Sequence, residues 1–353
     1  MTIPERIQAQ LASLTRASKT PGIHYVAVNA GGIVFEHASG WADIRARHPL
    51  EPVTTQMAYS MSKTITAAAA LQLVESGRLE LDAPIARYLA SQPYGPAVTV
   101  RQLIAHTSGI PNPIPLRWVH PAASHARFDE AAALAKVLHE HPRLSFEPGT
   151  EYGYSNIGYW LLGTIMEQIA GASLSASVEE NVLRRLNIPS SALQYVIPDP
   201  RRHATGYLEK YSIMNLTKGF LIDRDLVGDY AGRWLEIRSH YLNGPAFGGL
   251  VGSARGFAAF LQDQLRPHSA LFSDATRTLF CTPQATTRGK PVPMTLGWHI
   301  GTGFLYKEGG GGGFHSMMRL YPAHGVGTVV MCNATGFDIR RLLGAVDPAF
   351  LTS

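Results

Sequence analysis

The chain has 353 residues, of which 45% are hydrophobic and 16% charged, a balance that indicates a folded protein and excludes an intrinsically disordered one. Its formal charge is +5, but the lysines and arginines are scattered, so we expect no nucleic-acid partner. No run reaches the roughly 18 to 20 apolar residues of a membrane span, and no secretory leader is visible. The sequence therefore predicts a cytoplasmic protein without a membrane span.

Helical and strand-like segments follow one another along the chain. A helix over residues 4–17 precedes a hairpin, helices fill the middle, and strands with a closing helix occupy the C-terminal part. The predicted helices are 4–17, 64–75, 130–139, 157–170, 254–264 and 337–345. The predicted strands are 24–28, 33–37, 296–300, 304–307, 315–320 and 327–331.

Because both chain ends carry strands, the simplest architecture is an α+β fold in which one antiparallel sheet pairs the two ends and is flanked by helices. We assign residues 1–75 and 246–353 to this discontinuous sheet domain and residues 76–245 to an inserted, mostly helical domain. The active site is expected in the crevice between them. Residues 189–246 are predicted to be irregular and are rich in aromatic side chains, namely Tyr207, Tyr211, Phe220, Tyr230, Trp234 and Tyr241.

Ser60 and Lys63 stand at the head of the helix predicted from residue 64. Residues three apart share a helix face, and a lysine whose pKa is lowered by burial or nearby positive charge can take the proton of a serine. Backbone N–H groups at a helix N-terminus also suit an oxyanion. The pattern recurs by chance, however, and a capping serine followed by an exposed lysine fits it equally well.

Tyr154 and Asn156 precede a second predicted helix. A phenol can shuttle a proton where neighbouring ammonium groups stabilise its phenolate, and the Asn156 amide can hold a lysine or a substrate carbonyl. In the structural alternative, Asn156 caps the helix and Tyr154 packs against its neighbours. The two roles are compatible with each other.

Lys307 and Glu308 end a predicted strand and lead into the glycine run 309–313 and Phe314. A glycine-rich edge lets a substrate approach the backbone and leaves N–H groups free to donate. A phosphate-binding loop is excluded, because no Gly-Lys-Ser/Thr follows and no helix begins there. A flexible hairpin tip is the alternative.

Together these motifs resemble the penicillin-recognising serine enzymes, and in particular the branch of class C β-lactamases, D-Ala-D-Ala carboxypeptidases, D-aminopeptidases and family VIII esterases. The three motifs are Ser60-x-x-Lys63, Tyr154-x-Asn156 and Lys307-x-Gly309. Stretches similar to that branch surround them at 98–110, 148–149 and 248–253. The resemblance covers about residues 20–175 and 245–335.

The resemblance implies a role for each catalytic residue. Ser60 would attack the substrate carbonyl, and Lys63 would accept the serine proton. Tyr154 would protonate the leaving group and then activate the deacylating water. The reaction would therefore pass through an acyl-enzyme.

Supporting roles follow from the same resemblance. The backbone N–H groups of Ser60 and Gly310 would form the oxyanion hole, beside Gly309. Lys307 would keep the site positive, and Asn156 would orient Lys63 and the acyl group of the substrate. Neither a metal nor a cofactor is implied.

Glu308 departs from the family pattern, in which a threonine or serine usually helps to bind the substrate carboxylate. A glutamate that faced the site would repel that carboxylate and favour neutral esters or amine-bearing substrates. Because adjacent side chains of a strand alternate between its faces, Glu308 could equally point away or pair with Lys307. The sequence leaves both orientations open.

Further substrate-binding candidates lie beside the motifs, and they are Tyr59, Glu308, Gly311, Phe314 and Trp118. The aromatic segment 205–245, with Trp118 and the proline-rich residues 111–116, would form an apolar wall for an acyl or alcohol group. Ordinary packing is the alternative for each aromatic residue. His106 and His315 are interpreted as structural.

We therefore expect a carboxylesterase-type serine hydrolase with weak β-lactamase activity, acting on a small ester or amide as a monomer or homodimer. The alternatives are a D-amino-acid peptidase or amidase, a β-lactamase, an acyltransferase with an alcohol acceptor, and a catalytically silent binding homologue. An α/β-hydrolase is excluded because no G-x-S-x-G occurs, and a metal hydrolase because the histidines are dispersed.

Overall fold

The computed structural model describes residues 2–113, 118–218 and 222–351. Its α-helices are α1 (Ile3–Arg16), α2 (Ser62–Glu75), α3 (Val100–Ile104), α4 (Glu130–Glu140), α5 (Asn156–Ala170), α6 (Leu174–Val178), α7 (Ile213–Leu216), α8 (Pro245–Gly248), α9 (Ala254–Leu265), α10 (Asp274–Cys281) and α11 (Ile339–Val346). Residues 114–116 and Phe220, named above in two predicted segments, lie outside the described residues.

The strands of the first half of the chain are β1 (Gly22–Asn29), β2 (Gly32–Asp43), β3 (His48–Pro49), β4 (Gln56–Met57), β5 (Val119–Pro121) and β6 (Leu193–Gln194). The later strands are β7 (Gly206–Glu209), β8 (Val227–Ala231), β9 (Trp234–Ile237), β10 (His240–Leu242), β11 (Val251–Gly252), β12 (His299–Gly301), β13 (Phe304–Gly311), β14 (Phe314–Tyr321), β15 (Val326–Cys332) and β16 (Ala334–Thr335).

A seven-stranded sheet joins the two ends of the chain in the order β12-β13-β14-β15-β1-β2-β3. Strand β1 pairs with β15 in antiparallel register, with Val26 opposite Val329, so the predicted pairing of the chain ends is confirmed. All neighbouring strands of this sheet run antiparallel. The predicted α+β fold with a central antiparallel sheet is therefore confirmed.

Alternation along the strands gives the sheet two apolar faces. One face, which includes Tyr25 and Met317, packs against α1 and α11. The other, which includes Val26 and Met318, packs against α2 and α9. Helices thus cover both faces, and the face toward α2 is the one nearer to Ser60 and Lys63.

Helix α2 runs through the interior of the molecule. Its first ten residues, Ser62 to Leu71, are all buried, so this helix is surrounded by protein. The alanines from Ala67 to Ala70 allow its neighbours to approach closely. Gly77 follows the helix with φ +70°, the left-handed conformation common after a helix C-terminus.

The prediction that residues 189–246 are irregular is wrong. This segment holds β6 to β10, and β7, β8 and β9 form a four-stranded sheet with β16 in the order β16-β7-β9-β8. The strands have only two to five residues, too few for an alternating pattern to stand out. Strand β16 follows the main sheet in sequence and pairs with β7, which ties this segment to the C-terminal part of the chain.

The division into a sheet domain of residues 1–75 and 246–353 and an inserted domain of residues 76–245 is kept as a proposal. Within the described residues, no helix is long and apolar enough to cross a membrane.

Candidate active site

Ser60 lies in a tight turn that leads directly into α2. The turn is a 3₁₀-helix, Tyr59–Met61, and Tyr59 adopts the left-handed conformation with φ +47°. A non-glycine residue in this region is strained, and such strain often accompanies a functional turn. The Tyr59 hydroxyl is hydrogen-bonded to His240 Nε2 at 2.8 Å, and its ring is buried. Tyr59 therefore braces the turn through its hydroxyl, and its role as a substrate contact stays a prediction.

Lys63 is fully buried one turn after Ser60. Its Nζ lies 3.0 Å from Ser60 Oγ, 2.6 Å from Asn156 Oδ1 and 2.6 Å from the Phe247 carbonyl oxygen. The two carbonyl oxygens can only accept, so a neutral amine would donate both N–H groups to them and turn its lone pair toward Ser60. Burial, and then the charge of Lys307, lowers the Lys63 pKa well below its ordinary value. The geometry therefore suits Lys63 as a base.

Tyr154 contacts the same serine from the loop before α5. Its hydroxyl donates to Ser60 Oγ at 2.8 Å, and its ring lies 4.3 Å from the His106 ring, centroid to centroid. Burial raises the Tyr154 pKa above its ordinary value, although the bond to Ser60 lowers it. Tyr154 therefore stays protonated at neutral pH and has a proton to give.

A pair of asparagines sets the orientation of the amide that holds Lys63. The Asn156 backbone N–H donates to Asn112 Oδ1, and Asn156 Nδ2 donates to the same oxygen. The Asn156 carbonyl oxygen is thereby left to face Lys63. Ser155 caps α5 by accepting from the Gly158 N–H, so the alternative that made Asn156 the cap is wrong. Sequence reasoning missed Asn112, whose only signal was its place between two prolines.

Lys307 lies on β13 and faces α2. Its side chain is fully buried, and its Nζ has no hydrogen-bond partner among the described residues. The amine lies 5.4 Å from the centroid of the Tyr154 ring. Burial lowers the Lys307 pKa to about 7, so a negative charge that developed nearby would favour its protonated form.

Glu308 turns to the opposite face of the sheet, and its prediction as a substrate-binding residue is wrong. Arg340 of α11 donates from Nε and Nη2 to Glu308 Oε2 at 2.8 and 2.6 Å, and His315 Nε2 lies 2.8 Å from Oε1. Burial alone would raise the Glu308 pKa, but the bonds from His315 and Arg340 lower it. Glu308 faces away from Ser60 because adjacent side chains of a strand point to opposite faces, and Lys307 points toward Ser60.

The glycines of β13 let this strand pass directly over the serine turn. A Cβ at Gly309 would overlap the Ala58 carbonyl oxygen and lie 2.9 Å from the Ser60 nitrogen. A Cβ at Gly311 would overlap the Tyr59 ring. Gly310, whose N–H group is predicted to form part of the oxyanion hole, lies between them on β13, opposite His315 of β14. The glycine run is thus explained by close approach rather than by flexibility.

The predicted aromatic wall is only partly present. Trp118 is partly buried and packs edge-on against Trp160 and Phe247, whose carbonyl holds Lys63. Phe314 is buried in a packing cluster, so it is a core residue rather than a substrate contact. Tyr211, in the aromatic segment, is 74% exposed, which contradicts its place in a wall.

Other aromatic residues lie beside Tyr154. His299 stacks on Tyr154 and on Tyr306, with centroid distances of 6.1 and 5.2 Å, and its Nε2 lies 3.2 Å from the Tyr152 hydroxyl. Burial, followed by the charge of Lys307, lowers the His299 pKa to about 2, so the ring is neutral. Sequence reasoning missed His299 and Tyr306, because only the fold brings β12 and β13 alongside Tyr154.

No group of three or more His, Cys, Asp or Glu side chains within the described residues is arranged to hold a metal ion.

Comparison with known sequences gives a consistent result. A family model described as Beta-lactamase matches residues 7–346. The chain is 26% identical over 310 residues to penicillin-binding protein 4* of Bacillus subtilis strain 168, covering 85% of this chain and 65% of that protein. It is 29% identical over 224 residues to esterase EstB of Burkholderia gladioli, covering 58% of this chain and 55% of EstB. The chain thus spans less than two thirds of the length of these relatives.

A solved structure supports the fold. The D-amino acid amidase from Ochrobactrum anthropi SV3, solved with D-phenylalanine, matches with a TM-score of 0.78 at 18% sequence identity, over 98% of each chain. At this identity the likeness concerns the fold.

Proposed function

The chain belongs to the beta-lactamase family, and from this membership we propose that it is a carboxylesterase-type serine hydrolase that forms an acyl-enzyme at Ser60. One observation carries the proposal. Ser60 Oγ lies 3.0 Å from the Lys63 amine and 2.8 Å from the Tyr154 hydroxyl, so a base and an acid meet at one oxygen.

Acylation uses both neighbours of Ser60. The serine oxygen bonds to the acyl carbon while its proton passes to the neutral Lys63 amine. Tyr154 gives its proton to the departing alkoxide, which leaves as an alcohol. The carbonyl oxygen takes the negative charge and is stabilised by the backbone N–H groups of Ser60 and Gly310, each worth about 3 kcal/mol by analogy with other oxyanion holes.

Deacylation restores the starting state. Water loses a proton to the Tyr154 phenolate as its oxygen bonds to the acyl carbon. Lys63 returns its proton to the Ser60 oxygen, which leaves as the hydroxyl group. A nearby protonated Lys307 would stabilise the phenolate between the two half-reactions.

The choice of a neutral ester over a carboxylate-bearing substrate rests on the surroundings of Glu308. Glu308 has no alcohol hydroxyl to offer a substrate, and its carboxylate turns away from the site toward Arg340 and His315. Arg340 gives two N–H bonds to the Glu308 carboxylate, which offsets its charge. Position 308 therefore supplies no group that would bind a substrate carboxylate, which supports the choice of a neutral ester. The proposed substrate is a small ester. The proposed protein is a monomer or homodimer in the cytoplasm.

A substrate panel tests the proposal. We expect hydrolysis of p-nitrophenyl butyrate to exceed that of nitrocefin and D-phenylalanine amide in kcat/KM. Ser60→Ala should remove all three activities without changing the melting temperature. A faster rate with the β-lactam or the D-amino-acid amide would overturn the esterase assignment, and turnover retained by Ser60→Ala would overturn the nucleophile.

A further inference from the structure

Tyr154 lies in the loop that precedes α5, outside the helices and strands of the described residues. A proton donor works only while it stays within hydrogen-bond reach of the reacting group, so this loop has to be held in place. His106, which is distant in sequence, makes contacts on both sides of Tyr154.

Two hydrogen bonds join the backbone around Tyr154 to His106. The Gly153 N–H donates to the His106 carbonyl oxygen at 2.8 Å, and the Ser155 N–H donates to His106 Nδ1 at 3.1 Å. These donors lie one residue before and one residue after Tyr154. Because His106 is fully buried, solvent does not compete for either bond. The backbone of the loop is therefore fixed at both neighbours of the phenol.

The His106 side chain also lies against the Tyr154 ring. The two ring centroids are 4.3 Å apart, and the imidazole contacts Tyr159 of α5 as well, at a centroid distance of 5.1 Å. The Tyr159 hydroxyl donates to the Ile104 carbonyl oxygen at 3.1 Å, which holds that ring in turn. The imidazole thus limits the rotation of the Tyr154 ring, whose hydroxyl donates to Ser60 Oγ at 2.8 Å.

Two unfavourable features of His106 indicate that its role is more than packing. Its backbone is left-handed, with φ +57°, which is uncommon outside glycine. The Ser155 N–H can only donate, so Nδ1 accepts and the ring proton lies on Nε2, which is buried without a hydrogen-bond partner among the described residues. Features of this kind cost free energy and cluster at functional sites.

The charge state of His106 suits its role as an acceptor. Burial, and then the charges of Lys307 and Lys63, lower the His106 pKa well below its ordinary value. The ring therefore stays neutral at the pH of an esterase assay, and Nδ1 keeps the lone pair that accepts from the Ser155 N–H.

We propose that His106 is a positioning residue for ester hydrolysis, which holds the Tyr154 hydroxyl at Ser60 by fixing the backbone beside Tyr154 and packing against its ring. The proposal rests on the function proposed above, in which the serine oxygen displaces the alcohol oxygen from the acyl carbon and Tyr154 gives its proton to the departing alkoxide. His106 itself takes no part in bond making. Its loss should therefore slow acylation only as far as acylation needs that proton.

Two esters of one acid separate this role from a general loss of structure. Ethyl butyrate releases ethoxide, a strong base that needs a proton as it leaves, whereas p-nitrophenyl butyrate releases a phenolate that leaves without one. Both form the same acyl-enzyme, and kcat/KM reports acylation. A variant with less active protein lowers both values equally, so the ratio of the two kcat/KM values measures the proton transfer from Tyr154.

His106→Gly removes the imidazole and keeps the left-handed backbone accessible. We expect it to lower kcat/KM for ethyl butyrate about 100-fold and for p-nitrophenyl butyrate less than about ten-fold, the pattern also expected of Tyr154→Phe. His106→Asn supplies an acceptor near the place of Nδ1 and tolerates a left-handed backbone, so it should regain at least about ten-fold of the loss with ethyl butyrate. His24→Gly, which removes an equally buried imidazole bonded to Glu36, should leave the ratio unchanged.

The melting temperature of each variant establishes that folded proteins are compared. The role of His106 is refuted if His106→Gly lowers both kcat/KM values by the same factor while Tyr154→Phe discriminates between the esters, or if His106→Asn regains nothing. An equal effect of His24→Gly on the ratio would also overturn it. If Tyr154→Phe itself lowers both values equally, the proposed acid is wrong, and the role of His106 falls with it.

Discussion

At Ser60, reactivity depends on the protonation states of two neighbours. Lys63 is buried beside a second lysine, and burial and the charge of Lys307 both lower its pKa, which favours the neutral amine. Tyr154 is buried and donates to the serine, and these surroundings favour the neutral phenol. In the proposed mechanism Lys63 is the base and Tyr154 the acid, and the direction of each pKa shift agrees with that assignment.

The pH dependence of acylation follows from the lowered pKa of Lys63. Protonation of Lys63 removes the base, so kcat/KM for p-nitrophenyl acetate should fall as pH decreases through that pKa and reach a plateau above it. The midpoint should lie well below a lysine's ordinary 10.5, because burial and Lys307 both disfavour the ammonium form. A pH–rate profile corrected with Ser60→Ala measures it. An acid limb centred near 10.5 would show that Lys63 is not the base.

Much of this site could be predicted from residue types and spacing. The motifs predicted that four side chains would lie in contact, and the structure brings them together: Ser60, Lys63, Tyr154 and Asn156. Lys307 lies near them. Their catalytic roles stay predictions. Asn112 and His299 could not be predicted, because they reach the site through loop and strand packing between residues distant in sequence.

At the scale of the element, strand β13 places two adjacent charged side chains on opposite faces of the sheet. Lys307 faces α2, whereas Glu308 faces α11, where it bonds to Arg340 and His315. A one-residue difference in a strand decides which side chain faces the Ser60 side of the sheet. The orientation of Glu308 could not be predicted from the sequence. Side chains alternate along β13, but which of them face α2 and which face α11 depends on how β13 pairs with β14.

Gly309 should be intolerant of any side chain. Gly309→Ala would place a Cβ against the Ala58 carbonyl and the Ser60 nitrogen, so the serine turn must shift. Because small displacements of a nucleophile are costly, we expect kcat/KM to fall about 100-fold. Gly344→Ala, whose Cβ would meet no atom within 4 Å, is the matched control and should keep full activity. Full activity in Gly309→Ala would contradict the close approach of β13 to Ser60.

At the scale of the whole molecule, the two chain ends are joined by polar as well as apolar contacts. Asp347, after α11, is buried and accepts hydrogen bonds from Tyr25 of β1, Tyr321 and Thr328. It also pairs with Arg319 of β14, with 3.3 Å between Nη1 and Oδ2. This cluster links β1 and β14 to the segment that follows α11.

Loss of Asp347 should therefore destabilise the fold more than it affects catalysis. Asp347→Ala leaves Arg319 buried without its carboxylate, and we expect a loss of about 3 to 5 kcal/mol in the free energy of unfolding. Asp229→Ala breaks the exposed pair with Arg45 and should cost less than about 1 kcal/mol. Urea unfolding compares the two variants. Equal losses in the free energy of unfolding would show that the buried Asp347 cluster stabilises the fold no more than the exposed pair does.

The overall fold was largely predictable. Long segments with a regular hydrophobic period can be identified as helices or strands, and strands are predicted near both chain ends. The order of the seven strands and the small sheet of β7, β8, β9 and β16 were not predictable. Short strands carry little periodic signal, and the pairing of β16 with β7 depends on contacts between segments more than 100 residues apart.

Covalent labelling of Ser60 is the most direct test of the mechanism. The intact chain should gain the mass of one fluorophosphonate group, peptide mapping should place that group on Ser60, and Ser60→Ala should remain unlabelled. Lys63→Ala should label more slowly, because the base is lost. Labelling of another residue, or equal labelling of Ser60→Ala, would contradict the assignment of Ser60 as the nucleophile.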